Sequence, residues 1–193
     1  MATQGKVKEL TGELMKNLST LTKPRIDLIG LFILAIVQVT SVNLAKIALA
    51  MDTKSKTGSN HRRLQRFIKE INWTNTSLIQ MILKWLKLDD GPYTLLIDRT
   101  NWEFGKKKIN ILMISVLYEG YSVPLGWSLL NKKGNSNQGD RWDLLNKIID
   151  KVGAGKIKYI IGDREFGGVC WYNYLNDNGI TFVIRIDRKS TRL

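Results

Sequence analysis

The hydrophobic periodicity of the chain changes once, at residues 89–92, which read Asp-Asp-Gly-Pro. Before this turn sequence apolar residues recur at helical spacing, and after it they fall in short runs rich in Ile, Leu and Val, which are typical of strands. We therefore predict a small all-helical domain over residues 1–90 and an α/β domain over residues 91–193.

The α/β part is predicted to form a mixed sheet. Three strands follow one another as an antiparallel meander, with a tight turn at Glu119-Gly120, and a helix, a strand, a second helix and a last strand come after them. In such a sheet the first and fourth strands are adjacent and parallel. The order also permits another small α/β fold. The predicted strands are 93–98, 108–118, 121–130, 157–162 and 180–186, and the predicted helices are 144–152 and 169–178.

Two of the predicted strands end at a carboxylate. Asp98 closes the first strand and Asp163 follows the fourth, at the edge where open α/β sheets bind ligands. If these strands are neighbours, the two aspartates lie side by side and can share divalent metal. Each is followed by an arginine, Arg99 or Arg164, which suits phosphate contact or orientation of the aspartate. Either aspartate alone is also typical of a strand-end turn.

The charge of the chain indicates a polyanionic partner. Lys and Arg number 30 against 17 Asp and Glu, a net charge of +13, and residues 1–92 carry +7 of it. With one cysteine and one histidine, neither a disulfide framework nor a Cys/His zinc site can form, so any metal must be held by carboxylates. We expect Cys170 to be a small buried residue.

The amino-terminal part offers candidate DNA contacts on a basic helix with an apolar stripe, which starts near His61 and carries Arg62, Arg63 and Arg66. Residues 26–50 read as helical, and Asn43 can cap residues 44–51. A helix-turn-helix reader, simple backbone contact and plain packing all remain open for this segment.

The longest apolar stretch, residues 28–39, is too short to span a bilayer, and the first residues lack the order of a signal peptide. We therefore expect a cytoplasmic protein with no membrane partner. Among the tryptophans, Trp102, Trp142 and Trp171 are candidates for stacking on displaced bases, and Trp127 is expected in the core.

Four sequence blocks around the two aspartates occur in order and carry a family resemblance. Over residues 62–185 the chain resembles bacterial insertion-sequence transposases of the DDE type, in the insertion-sequence-four group. The blocks are Asp98-Arg99-Thr100-Asn101-Trp102, Gly105-Lys106-Lys107-Lys108-Ile109-Asn110-Ile111-Leu112, Gly134-Asn135-Ser136-Asn137 and Asp163-Arg164-Glu165-Phe166.

The resemblance implies a ribonuclease-H-like core that cuts and rejoins DNA with divalent metal. Asp98 and Asp163 are then the catalytic, metal-binding residues, with Mg²⁺ or Mn²⁺ as the cofactor. The expected partners are double-stranded DNA, at the transposon ends and the target, and a second copy of the chain in a synaptic homodimer. The predicted DNA contacts are Arg62, Arg63, Arg66, Arg99, Asn101, Lys106, Lys107, Lys108 and Arg164.

The family's third carboxylate is a glutamate in a Tyr-x-x-Arg-x-x-x-Glu pattern, and this pattern does not occur in the sequence. We therefore expect a core cut short near Leu193, with little or no strand cleavage by the chain alone. One alternative is a catalytically inactive DNA-binding fragment that inhibits transposition. Another is an unrelated small nuclease that uses Asp98, Asp163 and Glu165 together, in which case Glu165→Gln abolishes activity.

Overall fold

The structure is a computed structural model that describes residues 2–18, 21–71, 75–88, 90–105 and 107–186. The chain divides into two compact units, Met1–Trp73 and Thr74–Leu193. Within the described residues no single helix is long and apolar enough to cross a membrane. One pair, Lys23–Val39 with Leu44–Ala50, passes the same test by length and composition although it is bent by 104°.

The regular elements in the described part of the first unit are all helices, as predicted. The stretch predicted to be helical over 26–50 is interrupted, because Thr40 takes a left-handed conformation with φ of 47°. The chain then restarts at Asn43, whose side chain accepts the backbone N–H groups of Ala45 and Lys46 and so caps the next helix. The helices are α1 (Ala2–Asn17), α2 (Lys23–Val39), α3 (Leu44–Ala50) and α4 (Thr57–Glu70).

The second unit is an α/β structure built around one sheet. Its elements are α5 (Asn75–Trp85), β1 (Tyr93–Phe104), β2 (Lys107–Tyr118), β3 (Tyr121–Leu129), α6 (Gln138–Val152), β4 (Ile157–Gly162), α7 (Val169–Asp177) and β5 (Thr181–Ile184). Two short 3-10 turns, Ala154–Lys156 and Arg164–Phe166, lie on either side of β4.

The sheet has the order β3-β2-β1-β4-β5. Strands β1, β2 and β3 pair antiparallel, whereas β4 pairs parallel with both β1 and β5. The turn between β2 and β3 is the predicted one, since Glu119 and Gly120 both have positive φ, as a two-residue hairpin with the twist of its strands requires. The mixed sheet predicted from the sequence, with its first and fourth strands adjacent and parallel, is therefore confirmed.

The two faces of the sheet differ in burial. The inner face carries the buried residues Leu95, Leu112, Ile114 and Ile160, and α6 packs on it so closely that a Cβ on Gly126 would lie 3.4 Å from a methyl of Leu144. Side chains alternate between faces along a strand, so the residues between these positions project from the opposite, outer face. The outer face includes Leu96, Asp98, Met113 and Ile161.

Helix α5 belongs to the second unit. Its residues Ile79 and Leu83 are buried in the same apolar core as the strands, and the helix packs against α6 and β3. The compact units therefore divide before α5, whereas the sequence predicts the boundary near residue 90. The turn sequence at 89–92 links α5 to β1 inside one unit, because the apolar stripe of the helix covers part of the sheet.

Candidate functional site

The two aspartates singled out in the sequence lie at neighbouring strand ends. Ile97 of β1 is in register with Gly162 of β4. Asp98 directly follows Ile97, and Asp163 directly follows Gly162. Asp163 keeps an extended backbone, with φ of −80° and ψ of −178°, so both side chains continue the alternation toward the outer face. Adjacent strands lie about 4.8 Å apart. The structure thus brings two exposed carboxylates together at one edge of the sheet.

Each of these carboxylates is oriented by a backbone hydrogen bond. Oδ1 of Asp98 accepts the N–H of Arg99 at 2.7 Å, and Oδ1 of Asp163 accepts the N–H of Glu165 at 2.9 Å. A carboxylate held through one oxygen can present the other to a cation, and hard oxygen ligands suit Mg²⁺ and Mn²⁺. The donor chemistry therefore fits a divalent metal. Within the described residues, no group of three metal-binding side chains occurs.

Gly162 allows the close approach of the strands beside the aspartates. A Cβ at this position would lie 2.9 Å from Cγ2 of Ile97, 3.1 Å from the ring of Phe166 and 3.2 Å from a methyl of Ile184. These distances are shorter than ordinary van der Waals contact, so a larger residue would push β1, β4 and β5 apart.

Arg99 occupies the inner side of the same edge and is held by the protein itself. Its Nε donates to Oε1 of Glu165 at 2.5 Å, and its two terminal nitrogens donate to the side-chain oxygens of Asn101, Asn110 and Asn135. The nitrogens of the guanidinium are therefore hydrogen-bonded to other side chains of the protein. The predicted phosphate contact of Arg99 is not supported by these contacts.

Glu165 is the partner that the sequence did not reveal. The side chains of Glu165 and Arg99 are only 13% and 10% exposed. The pKa of Arg99 is raised, chiefly by its hydrogen bond to Glu165. Glu165 therefore holds an arginine, which argues against the alternative in which it binds metal with Asp98 and Asp163. The two residues are 66 positions apart, and no local sequence pattern marks the contact.

Arg141 of α6 is a second buried arginine beside the site. It donates from Nε to the Ser136 hydroxyl and from Nη2 to the backbone oxygens of Ser136 and Glu165, and its guanidinium lies 5.1 Å from the centre of the Phe166 ring. Burial lowers the pKa of Arg141, although nearby carboxylates oppose this effect. The sequence predicted no role for this residue, because an arginine within an amphipathic helix is ordinarily exposed.

An open cleft of about 650 Å³ lies beside Asp163. Arg164, which is exposed, and Arg185, just beyond β5, both line it. The sequence singled out Arg164 but not Arg185. The cleft is lined by Arg99, Asn135, Asp163, Arg164, Glu165, Gly167, Tyr172, Arg185 and Ile186.

The remaining predicted DNA contacts fall on two other parts of the molecule. Asn101 and Lys108 are exposed on the hairpin of β1 and β2, where Lys108 also pairs with Glu103 at 2.9 Å. Lys106 and the side chain of Lys107 lie outside the described residues. The three arginines of the basic helix lie on α4 in the first unit, where Arg62 and Arg66 are exposed and Arg63 is half-buried.

The aromatic and cysteine predictions are partly corrected. Trp171 is fully buried and Trp142 packs against Tyr174, so neither is placed to stack on a base, whereas Trp102 is 61% exposed. Trp127 is half-buried. The expectation that Cys170 is buried is wrong, since it is exposed in the first turn of α7.

Comparison with known proteins bears on this site. No curated protein matches the chain. Among solved structures, the chain is similar to a chain of a cryo-EM structure of the simian T-cell lymphotropic virus intasome in complex with PP2A regulatory subunit B56 gamma. The identity is 11% and the TM-score is 0.39, with 81% of this chain covered. The match covers 53% of the solved chain, about half of its length.

The family comparison covers the whole sheet. The family model described as transposase DDE domain matches residues 89–193, more than half of the chain, and this range includes Asp98 and Asp163. The family uses divalent metal ions, which agrees with paired carboxylates at the edge of the sheet. The chain belongs to the transposase DDE domain family.

Proposed function

We propose that this chain acts on DNA as the metal-binding part of an insertion-sequence transposase, with Asp98 and Asp163 as the metal ligands. The observation that carries the proposal is the register of β1 and β4, which sets the two carboxylates next to each other on one face. The cofactor proposed is Mg²⁺, with Mn²⁺ as a substitute, because both prefer carboxylate oxygens.

Divalent ions held by Asp98 and Asp163 would make a bound water more acidic and would neutralise negative charge on the phosphate. The residues of this chain have complementary tasks. Asp98 and Asp163 hold the cations. Arg164 and Arg185, which line the cleft beside Asp163, neutralise the phosphate oxygens of the bound strand and fix its position.

We also propose that the chain by itself cleaves DNA strands little or not at all. The described residues supply two carboxylates to the sheet edge, and Glu165 is engaged by Arg99. Removing one ligand from a three-carboxylate site weakens the binding of both ions, so we expect little strand cleavage by the 193-residue chain unless a third acid is supplied in trans.

A second candidate function is regulatory. A chain that binds element ends with its basic surfaces and lacks cleavage activity would compete with an active transposase. The net charge of +13 and the two-carboxylate edge favour this alternative. This alternative predicts that adding the chain to an active transposase of the same element lowers the rate of cleavage. If the chain is itself an active enzyme, adding it raises that rate.

Metal binding tests the proposed site directly. Asp98→Asn and Asp163→Asn should each weaken Mn²⁺ binding, measured by titration with electron paramagnetic resonance, by at least about tenfold, since even a lost outer-shell partner costs about 10- to 100-fold. Asp143→Asn is the matched control, because it removes the same charge from an exposed position on α6. Equal Mn²⁺ affinity in all four proteins would refute the assignment.

A further inference from the structure

The hydrogen-bonded ladder between β1 and β4 stops just before the two aspartates. Its last registered pair is Ile97 with Gly162, after which the chain beyond Asp163 enters the Arg164–Phe166 turn. Strand β1 instead continues to Phe104, paired with β2. Asp98 and Asp163 therefore lie just beyond the last pair of the β1–β4 ladder. Backbone hydrogen bonds between these two strands do not fix the distance between the two carboxylates.

A side-chain ion pair joins the two segments beyond the ladder. Arg99 follows Asp98 directly and Glu165 lies two residues after Asp163, so the contact between Nε and Oε1 at 2.5 Å connects residues close in sequence to both carboxylates. Both side chains are almost fully enclosed, which protects the pair from solvent screening. The ion pair thus replaces the missing backbone pairing with a short, directional link.

The ion pair is itself held by three asparagines, one on the same strand and two on further segments. Asn101 of β1 and Asn110 of β2 accept from Nη1 of Arg99, and Asn135 of the loop before α6 accepts from Nη2. Asn110 also donates to the backbone oxygens of Lys132 and Gly134, which ties that loop to the sheet.

Helix α6 completes the support. Nη2 of Arg141 donates to the backbone oxygens of both Ser136 and Glu165. This nitrogen therefore links the loop before α6 to the Arg164–Phe166 turn. The four sequence blocks that carry the family resemblance therefore meet in one network. Each block supplies at least one member of the network, and these members are Arg99, Asn101, Asn110, Asn135, Ser136 and Glu165.

Alternation along β1 separates the two groups by face. Asp98 projects to the outer face, whereas Arg99 projects to the inner face together with Asn101 and Asn110. Arg99 and Glu165 also line the cleft beside Asp163, but their side chains are bonded to each other and to protein groups, so the pair can fix the spacing of the two carboxylates.

From this arrangement we propose that Arg99 and Glu165 are positioning residues, which hold Asp98 and Asp163 at the separation that shared divalent cations require. The proposal rests on the proposed function of the two aspartates. It takes Arg99 out of the set of DNA contacts and gives Glu165 a role through Asp163 rather than as a ligand.

The test compares metal affinity with folding. Arg99→Lys keeps the charge but loses the forked geometry, and Glu165→Gln keeps the shape but loses the charge. Each should weaken Mn²⁺ binding by about 10- to 100-fold while thermal melting and circular dichroism show a folded protein. Leu175→Ala is the control for destabilisation, because it removes a buried core side chain on α7 and should lower Tm without changing Mn²⁺ affinity.

The outcomes separate the two proposals. If Asp98→Asn weakens Mn²⁺ binding but folded Arg99→Lys and Glu165→Gln bind like the parent, the positioning role is overturned and the metal site stands. If Asp98→Asn has no effect, the proposed metal site fails first. Should Glu165→Gln be unfolded at 25 °C, Arg99→Lys decides, since it leaves a cation opposite the enclosed Glu165 carboxylate but loses the forked hydrogen bonds that fix the spacing. Normal Mn²⁺ affinity in that variant overturns the positioning role.

Discussion

At the scale of single residues, the edge that carries the aspartates depends on Gly162 as much as on charged groups. The absence of a side chain at Gly162 lets β1, β4 and Phe166 meet within van der Waals contact on the inner side. Asp163 is the next residue, so any displacement of β4 from β1 is transmitted directly to its carboxylate. Packing and site geometry are coupled at this position.

Gly162→Ala should destabilise the protein by about 1–3 kcal/mol, the usual effect of inserting a methyl group into a packed core. The free energy of unfolding from chemical denaturation measures this change. Gly155→Ala is the control, because no atom lies within 4 Å of a Cβ there and its φ is outside the left-handed region. A Gly162→Ala protein as stable as the Gly155→Ala protein would contradict the packing argument.

At the scale of elements, the hairpin of β1 and β2 extends farther than the sequence predicted. The first strand was expected to end at Asp98, but it continues through a polar segment to Phe104, because pairing with β2 stabilises strand geometry over residues with weak strand preference. The extension carries the exposed side chain of Trp102 beyond the edge that holds the two aspartates, on the same face as Asp98.

Trp102→Ala should weaken binding to DNA that has unpaired nucleotides at the cleaved end. Stacking of one base on an aromatic side chain contributes about 1–3 kcal/mol, or about 5- to 150-fold in affinity. Fluorescence anisotropy with labelled flap DNA measures the change. Tyr121→Ala is the matched control, since Tyr121 is 75% exposed at the start of β3, where it pairs with Tyr118 at the far end of β2. Equal losses in the two variants would exclude a specific role for Trp102.

Sequence patterns predicted which helices and strands form. They predicted less well where each element ends and which residues come into contact. The strand order and the β2–β3 turn followed from apolar runs and from Glu119-Gly120, because both signals are local. The break at Thr40 and the position of α5 did not, since they depend on which apolar surfaces find one another. The Arg99–Glu165 ion pair was also missed, because it forms only after β1 and β4 are in register.

At the scale of the whole molecule, positive charge is shared by the two units. Residues 1–73 carry 12 Lys and Arg against 5 Asp and Glu, a net of +7, and the remaining residues carry +6. In the first unit the basic residues of α4 lie on a helix whose apolar side is anchored by Leu64 and Phe67. We propose that both units contact the DNA backbone, with α4 as one of the contact surfaces.

Replacing Arg62, Arg63 and Arg66 by Ala should weaken DNA binding and reduce its salt dependence. Each lost phosphate contact lowers the slope of log K against log salt by about 0.9, so the triple variant should lose up to about 3 units of slope. Anisotropy titrations at several salt concentrations measure the slope. A triple variant of Lys8, Lys16 and Lys54, also in the first unit, removes the same charge. Identical slopes for the two triple variants would argue against α4.

The most direct measurement is anomalous diffraction from crystals of the protein soaked in Mn²⁺. We predict a manganese peak between the carboxylates of Asp98 and Asp163, with Glu165 turned away from it and bound to Arg99. Manganese bound elsewhere, or carboxyl groups more than about 10 Å apart and so unable to share ions, would contradict the metal site on which the account rests.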